Sequence, residues 1–486
     1  MKGRVKMRGK KIMAVLLGAA MVVGLCSCKG QQTVDNDEVP TLVWYIPGEK
    51  QADIATVMEA ANVIIEEEIG AKLDLRIIDS GSYTEKMNMM MSSQEVFDLC
   101  FTGFVNPFNK TAQKGAYLPL DELLKETPAL WESIPEWLWD TGKIDGEIYA
   151  MPNYQIEVSW TVPFIYNNLI EECNLDLSAV KNAEDLEVII EKVREKHPEK
   201  TFRTRNALAM FWGGKVTEEI VSGVYIEEGD ENLTAKTPAE DEERWRKARI
   251  LNDWFEKGYI RSDAASVTDD ELDLVNGKYL LFLGTYYPGV EAELKPRLKS
   301  DMTPILFGEP YITRGTCNNA MTAISRTSKY PEKAIKLMEL MNTNKELYNI
   351  IIYGVEGKHY TKVDENHIKL DTESGYYMNG SWKLGNQFNS YLLEGMPDDA
   401  WEQTMELNNK AKKSPLLGFV FDQSPVSSQI AQVNAVMSEY STTIANGSID
   451  VNEYYDEYMS RIKAAGIDEI REEVQRQIDE YKKTLK

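Results

Sequence analysis

Cys28 is the side chain whose surroundings point most clearly to one reaction. It closes the run Leu25-Cys26-Ser27-Cys28, with Leu25 at −3 and the small Ser27 at −1. That spacing suits transfer of a diacylglycerol to the thiol and cleavage after Ser27, leaving a lipidated Cys28 as the mature N-terminus. Lys2, Arg4, Lys6, Arg8, Lys10 and Lys11 come first, with no acid among them, and residues 12–25 are almost wholly apolar. A stretch so short is a poor membrane span, so residues 1–27 are expected to be an export signal. Cys26 is a weaker lipidation candidate, because the bulky Leu25 occupies its −1 position. The plainer alternative is an ordinary secretory signal with an incidental cysteine. Residues 29–39 (KGQQTVDNDEV) argue against it, since they are polar and poor in core formers. Residues 28–39 are therefore expected to be a solvated linker between a lipid and a folded body.

The other reactive groups form no catalytic pattern. Cys100, Cys173 and Cys317 cannot all pair within one chain, and Cys100, within FDLCF, reads as a buried small hydrophobe. His197, His359 and His367 have no His or Cys at i+3 or i+4. Asp364 and Asp371 near His367 are a weak signal in so acidic a chain, so no metal site is expected. There is no G-x-S-x-G elbow, no Walker loop and no G-x-G-x-x-G, and no cofactor is expected. A glycosidase needs only two carboxylates, and 78 Asp+Glu leave that reading open.

Charge narrows the partners. Losing residues 1–27 takes six bases and no acid from 54 Lys+Arg against 78 Asp+Glu, leaving a balance of −30. Such a chain repels nucleic acid and anionic lipid, so DNA and RNA are excluded and membrane contact is expected through the lipid alone. About 450 mature residues exceed one ordinary core and imply at least two domains.

The elements that must position any site begin with residues 41–46 (TLVWYI), a buried strand stopped by Pro47-Gly48. Ile54, Val57, Met58, Ala61, Ile64 and Ile65 then mark a helical face, closed by Gly70. Leu73, Leu75, Ile77 and Ile78 make a second strand, residues 82–91 a helix, and residues 96–101 (VFDLCF) a third strand ending at Thr102-Gly103. This βαβαβ order predicts a parallel, helix-flanked sheet, with ligands beyond the carboxyl ends of its strands. Those ends carry Tyr45, Pro47 and Gly48, then Thr102, Gly103 and Phe104.

Farther along, residues 162–166 and 278–283 read as strands, and residues 182–195, 243–257 and 331–342 as helices. Val188, Ile189 and Val193 are the expected apolar residues of the first of these helices. Residues 234–243 (TAKTPAEDEE) read as a polar surface segment. Past Asp450, Ile462, Ala465, Ile467, Ile470, Val474 and Ile478 predict one or two amphipathic helices packed on the body rather than a coiled coil. Trp131, Trp137 and Trp139 (WESIPEWLW) are expected to pack as a hydrophobic helix end, and Asp98 to cap or turn the chain.

These pieces carry a resemblance. LVWYIPG, VFDLCF, KGAYLPLDELL, IDGEIYAMP, FIYNNLIEECNL and AISRTSKYPEKAIKLMELMNTN occur in that order after the lipidation motif. Together the chain resembles an extracellular solute-binding lipoprotein of an ABC importer, of the family-1, sugar- and oligosaccharide-binding type. YGVEGKHY and PLLGFVFDQSPV are similar to a Gram-positive subgroup with a C-terminal domain of unknown function. The last 90 or so residues depart from the usual sugar-binder pattern. The resemblance implies a periplasmic-binding-protein-like (type II) α/β clamshell with hinge and added C-terminal helices. It implies a first lobe of residues 40–153 and 316–370, and a second of 154–315 and 385–486. Crossings fall near residues 152–155, 311–317 and 370–385. A monomer is expected to capture a small ligand between the lobes, a carbohydrate by preference, and pass it to the transporter permease. An exported carbohydrate-active enzyme, a peptide binder and a sensor partner stay open as alternatives.

A sugar presents apolar C–H faces and many hydroxyls, so its site needs aromatic platforms beside polar side chains. Tyr45, Phe104, Tyr154, Trp160, Trp212, Tyr286, Tyr287 and Trp382 are the candidate platforms, with Thr102 at a strand end. Tyr286-Tyr287 resembles the place where family members carry a cleft aromatic. Glu49, followed by Lys50, resembles a polar pair they often place there.

Overall fold

The computed structural model describes residues 39–209, 216–267 and 270–484. The expected export signal, most of the linker including Cys28, and Trp212 lie outside the described residues. Apolar side chains gather into three cores, where the sequence suggested two lobes.

The first core surrounds a five-stranded sheet. Strand β1 (Thr41–Pro47) leads to helix α1 (Ile54–Ile69), which buries Val57, Ala61, Ile65 and Ile69 on one face. Gly70 ends α1 at φ +58°, a left-handed conformation that glycine adopts without a Cβ clash, and its N–H donates to the Glu66 carbonyl at 3.0 Å. Strand β2 (Lys72–Ile78) returns parallel to β1, pairing Thr41 with Lys72 and Pro47 with Ile78. Helix α2 (Ser80–Ser92), capped by Asp79 accepting from the Gly81 N–H, leads to β3 (Leu99–Gly103), parallel to β1 on its other side. The βαβαβ reading therefore holds. Strand β3 starts later than expected because Asp98 takes over the ladder: its carboxylate accepts the Val43 N–H at 2.9 Å and the Ser328 hydroxyl at 2.6 Å. Asp98 is thus a chain-positioning residue. Ala320–Ile324 and Met151–Pro152 complete the sheet in antiparallel sense. Trp139 is fully buried and stacked on Trp131 with centroids 5.1 Å apart, and Lys413 lies over Trp137.

The second core holds the strands Thr161–Tyr166, Tyr279–Thr285, Met302–Pro304 and Thr201–Phe202. The run TVPFIY is buried on both faces. Helix Leu186–Lys196 packs Leu186, Ile189, Ile190 and Val193 inward, whereas Val188 is 54% exposed. Leu186, Ile189, Ile190 and Val193 fall at i, i+3, i+4 and i+7 and share one face, whereas Val188 at i+2 lies off it.

The third core joins the hairpin Thr217–Val221/Val224–Glu227 and Trp245 to helices Ser427–Ala445, Val451–Ala464 and Ile467–Tyr481. All six apolar residues expected beyond Asp450 are buried here. Burial of an aliphatic side chain contributes roughly 1.5–3 kcal/mol each, enough to seat this region. The segment read as polar surface is half interior. Ala235, Thr237, Pro238 and Asp241 are buried, Thr237 and Glu240 form a capping box, and the Trp245 indole N–H donates to the Pro238 carbonyl at 2.6 Å. Polar side chains here serve local backbone groups, which composition alone does not reveal.

Three crossings run side by side between the first two cores. Asn153 Nδ2 donates to the Lys383 carbonyl at 2.6 Å, Gln387 N–H to the Tyr154 carbonyl at 2.8 Å, and Ser159 N–H to the Tyr311 carbonyl at 2.8 Å. Glu157 is buried among them, with its N–H on Asn408 Oδ1.

Candidate functional site

A cleft of about 870 Å3 opens beyond the carboxyl end of β3. One wall belongs to the first core: Gly103, Pro107 and the helix Phe108–Gln113. The opposite wall belongs to the third: Glu218, Glu219 and Ile220 of the hairpin, then Leu416, Phe419, Phe421 and Gln423, then Ile430 and Asn434. The crossing segment supplies the floor through Arg314, Gly315, Asn318 and Asn319. Arg314 lies in a one-turn helix, Arg314–Cys317, started by a Thr313–Thr316 capping box.

The floor is buried and charged. Arg314 is 7% exposed, and its Nη2 reaches the Thr141 carbonyl at 3.4 Å. Its backbone N–H donates to Glu218 Oε1 at 3.1 Å, and the Ser414 hydroxyl donates to the other Glu218 oxygen. Burial lowers the Arg314 guanidinium to about 10 against the pull of Glu218, so it stays a cation at neutral pH. Burial raises the Glu218 carboxyl, opposed by Ser414 and the Arg314 N–H. Nearby, burial lifts Glu157 well above the usual carboxylate range. Arg314 Nε, Asn318 Oδ1 and Asn109 Oδ1 are buried without a protein partner.

Gly103, at an expected strand end, lines this cleft; among the described residues, the side chains proposed from sequence as platforms or polar partners do not line it, though some adjoin it. Phe104 follows the lining residue Gly103, donates its N–H to the lining Asn319 carbonyl at 3.0 Å, and is 51% exposed. Its ring meets the half-buried Trp382 at 5.7 Å. Lys383 lies over that indole, and exposed Glu49 partly offsets the burial that lowers the Lys383 ammonium. The structure therefore gathers Phe104, Trp382 and Glu49 near the carboxyl ends of β1 and β3. Half-buried Trp160 and Tyr286 form a separate edge-to-face pair at 5.2 Å, with the Trp160 indole N–H on the Phe307 carbonyl.

Four candidates are interior instead. Tyr45 packs on Phe97 and receives a hydrogen bond from Arg76. Thr102 is fully buried and donates to the Asn106 carbonyl at 2.6 Å. Tyr154 packs edge-on to Phe388 at 4.7 Å. Tyr287 is buried with its hydroxyl on Glu293. A position at a strand end does not set which face a side chain takes, and these four turn inward.

The residues missed are the polar floor and the 416–434 wall. The signals are present: the expected crossing at 311–317 contains Arg314, and PLLGFVFDQSPV, similar to the C-terminal subgroup, supplies part of the second wall. No histidine lines the cleft. His359 bonds the Val355 N–H and Asp53, His367 bonds Asp364 and the Met396 carbonyl, and His197 lies on Glu172. Cys100, Cys173 and Cys317 are buried free thiols, with Cys100 pushed up to about 12 by burial. Among the described residues no cluster of His, Cys, Asp and Glu could hold a metal, and no helix is long and apolar enough to cross a membrane.

This chain belongs to the bacterial extracellular solute-binding protein family, whose model matches residues 51–347. Residues 415–483 match a domain of unknown function, DUF3502, which supplies much of the second wall. The chain is 29% identical over 489 residues to a carbohydrate ABC transporter substrate-binding protein of Streptococcus pneumoniae serotype 4, covering 96% of this chain and 97% of that one. It superposes on the crystal structure of the N-glycan transport solute-binding protein NgtS of S. pneumoniae with a TM-score of 0.83 at 28% identity, over 92% of this chain and 100% of NgtS. NgtS in complex with Man1GlcNAc gives 0.76 over 91% and 99%, and with Man5GlcNAc 0.74 over 92% and 99%, both at 28% identity. The fold is that of the solute-binding clamshell with helices added near the C-terminus.

Proposed function

We propose that the chain captures an oligosaccharide in this cleft and delivers it to an ABC importer, tethered outside the cytoplasmic membrane by lipid on Cys28. The observation that carries the reading is the cleft's lining. Amides from Asn109, Gln113, Asn318, Asn319, Gln423 and Asn434 stand among Phe108, Phe419 and Phe421. Amides both donate to and accept from hydroxyls, and aromatic rings suit the C–H faces of a sugar. The carbohydrate-binding relatives support the same reading.

The work is binding, not turnover. A ligand that touches both walls favours the form in which they approach, by its differential affinity for that form. The moving bodies of this reading are residues 40–153 with 316–370, and residues 154–315 with 385–486, acting as a monomer.

A thermal-shift screen against neutral oligosaccharides, uronides, peptides and amines tests it. A glycan at 100 times its Kd should add roughly 2.7 kcal/mol to stability, with a smaller radius of gyration by small-angle scattering. Stabilisation by peptides alone, or release of reducing sugar from a glycan, would overturn the proposal.

A further inference from the structure

We infer that Glu218 is a positioning residue for ligand capture: its carboxylate fixes the second wall of the cleft to the floor, an inference that rests on the oligosaccharide reading above. Its two oxygens hold two donors from distant parts of the chain. One accepts the Arg314 N–H, 96 residues away, at the start of the floor's one-turn helix. The other accepts the Ser414 hydroxyl, 196 residues away, just before the wall residue Leu416. Glu218 itself stands in the hairpin strand Thr217–Val221, so one side chain joins three segments of the cleft.

The bridge continues beyond both donors. Ser414 donates its N–H to the Ile312 carbonyl at 2.8 Å, and its Oγ accepts the Leu416 N–H at 3.1 Å. Tyr311–Ile312 and Lys412–Lys413 pair as parallel strands beside it. Farther along the wall, the Gln477 side chain accepts the Asp422 N–H at 2.8 Å and donates to the Asp422 carbonyl at 2.9 Å. That tie fixes the wall segment to the helix Ile467–Tyr481 of the third core. A buried carboxylate is costly unless its oxygens are bonded, and Glu218 is buried while its neighbour Glu219 is exposed. The two donors therefore set where the carboxylate sits, and it sets the spacing between them. A ligand touching wall and floor together meets groups already in place and is spared the cost of ordering them.

Calorimetric titration with Man5GlcNAc and hydrogen–deuterium exchange, both on the purified protein, test this. Glu218→Leu keeps much of the bulk and loses both bonds, and should weaken Man5GlcNAc about tenfold or more. Glu218→Gln keeps both contacts, because the Ser414 hydroxyl can accept where it now donates. It should bind within about threefold of wild type. Ser414→Ala should weaken binding in the same direction, and keeps the assignment testable if Glu218→Leu fails to fold. Without ligand, exchange in Glu218→Leu or Ser414→Ala should rise across residues 311–317 and 412–422, with β1 to β3 unchanged. Wild-type affinity in Glu218→Leu and Ser414→Ala, or faster exchange confined to the hairpin 217–227, overturns the inference and leaves the oligosaccharide reading standing. An equal loss in Glu218→Gln and Glu218→Leu also overturns it, since charge beside Arg314 would then be what matters. A wild type that binds neither Man5GlcNAc nor any other oligosaccharide of the screen overturns the oligosaccharide reading, while the exchange measurement, which needs no ligand, still decides the bridge.

Discussion

Phe104 and Trp382 meet with ring centroids 5.7 Å apart and planes tilted by 59°, joining the end of the first sheet to the third crossing. Phe104 is bonded through its backbone to the cleft residue Asn319, so this aromatic pair adjoins the cleft.

Phe104→Ala should therefore act on binding more than on folding. Stacking on an exposed ring is worth on the order of 1–3 kcal/mol, whereas a half-exposed side chain leaves no cavity behind. Calorimetric titration with a bound oligosaccharide should show the loss, with a melting temperature close to wild type. A large drop in melting temperature would make Phe104 a structural residue.

Tyr287→Ala should do the opposite. Its ring is buried in the second core and its hydroxyl is held by Glu293. Truncating a buried aromatic costs about 3–5 kcal/mol, so denaturant unfolding should show a clear loss, with affinity preserved in whatever fraction remains folded. Tyr286→Ala, on the half-buried neighbour against Trp160, should cost noticeably less stability.

Glu157 sets a pH dependence. Burial raises its carboxyl well above 4.5, opposed only in part by the Gln155 N–H and Cys317. The folded state therefore keeps a proton that the unfolded chain gives up above about 4.5. This group's stabilising contribution is complete below that pH and falls as pH rises toward the folded value. Glu157→Gln removes the titration, and relieving a buried, poorly paired carboxylate is worth about 1–3 kcal/mol. Melting curves of the two proteins should coincide near pH 4 and separate as pH rises, with the variant more stable. Parallel curves would show that Glu157 does not titrate in this range.

Cys28→Ala should abolish lipidation and leave the protein unprocessed or released to the medium. Fractionation of the cells that make it, with radiolabelled acyl precursor, would detect this. A processed variant that stays with the membrane would place the anchor elsewhere.

Much of the scaffold was legible because its signals are local. The Ile54 to Ile65 periodicity, Gly70 at the end of α1, and the amphipathic stripe from Ile462 to Ile478 each need only one element. The cleft was less legible because its walls lie far apart in the chain. Gly103 to Lys114, Glu218 to Ile220, Arg314 to Asn319 and Leu416 to Asn434 converge only through the fold. Aromaticity points to platforms and overlooks amides, so Phe104 and Trp382, which only adjoin the cleft, are candidates from sequence while the lining residues Asn109 and Asn318 are not. Tyr45 shows the other limit: the right strand and the right end, with the ring turned into the core against Phe97.

The antiparallel pairing of Ala320–Ile324 with β3 bears on how the chain is made. Until residue 324 has been synthesised, β3 has one naked edge, and Met151–Pro152 has no neighbour to join. The second sheet likewise waits for Met302–Pro304 to reach Thr161–Tyr166. An emerging polypeptide can begin either lobe but complete neither early. Pairings so distant in sequence are slow to close. Both sheets therefore close only once Met302–Pro304 and Ala320–Ile324 have joined them.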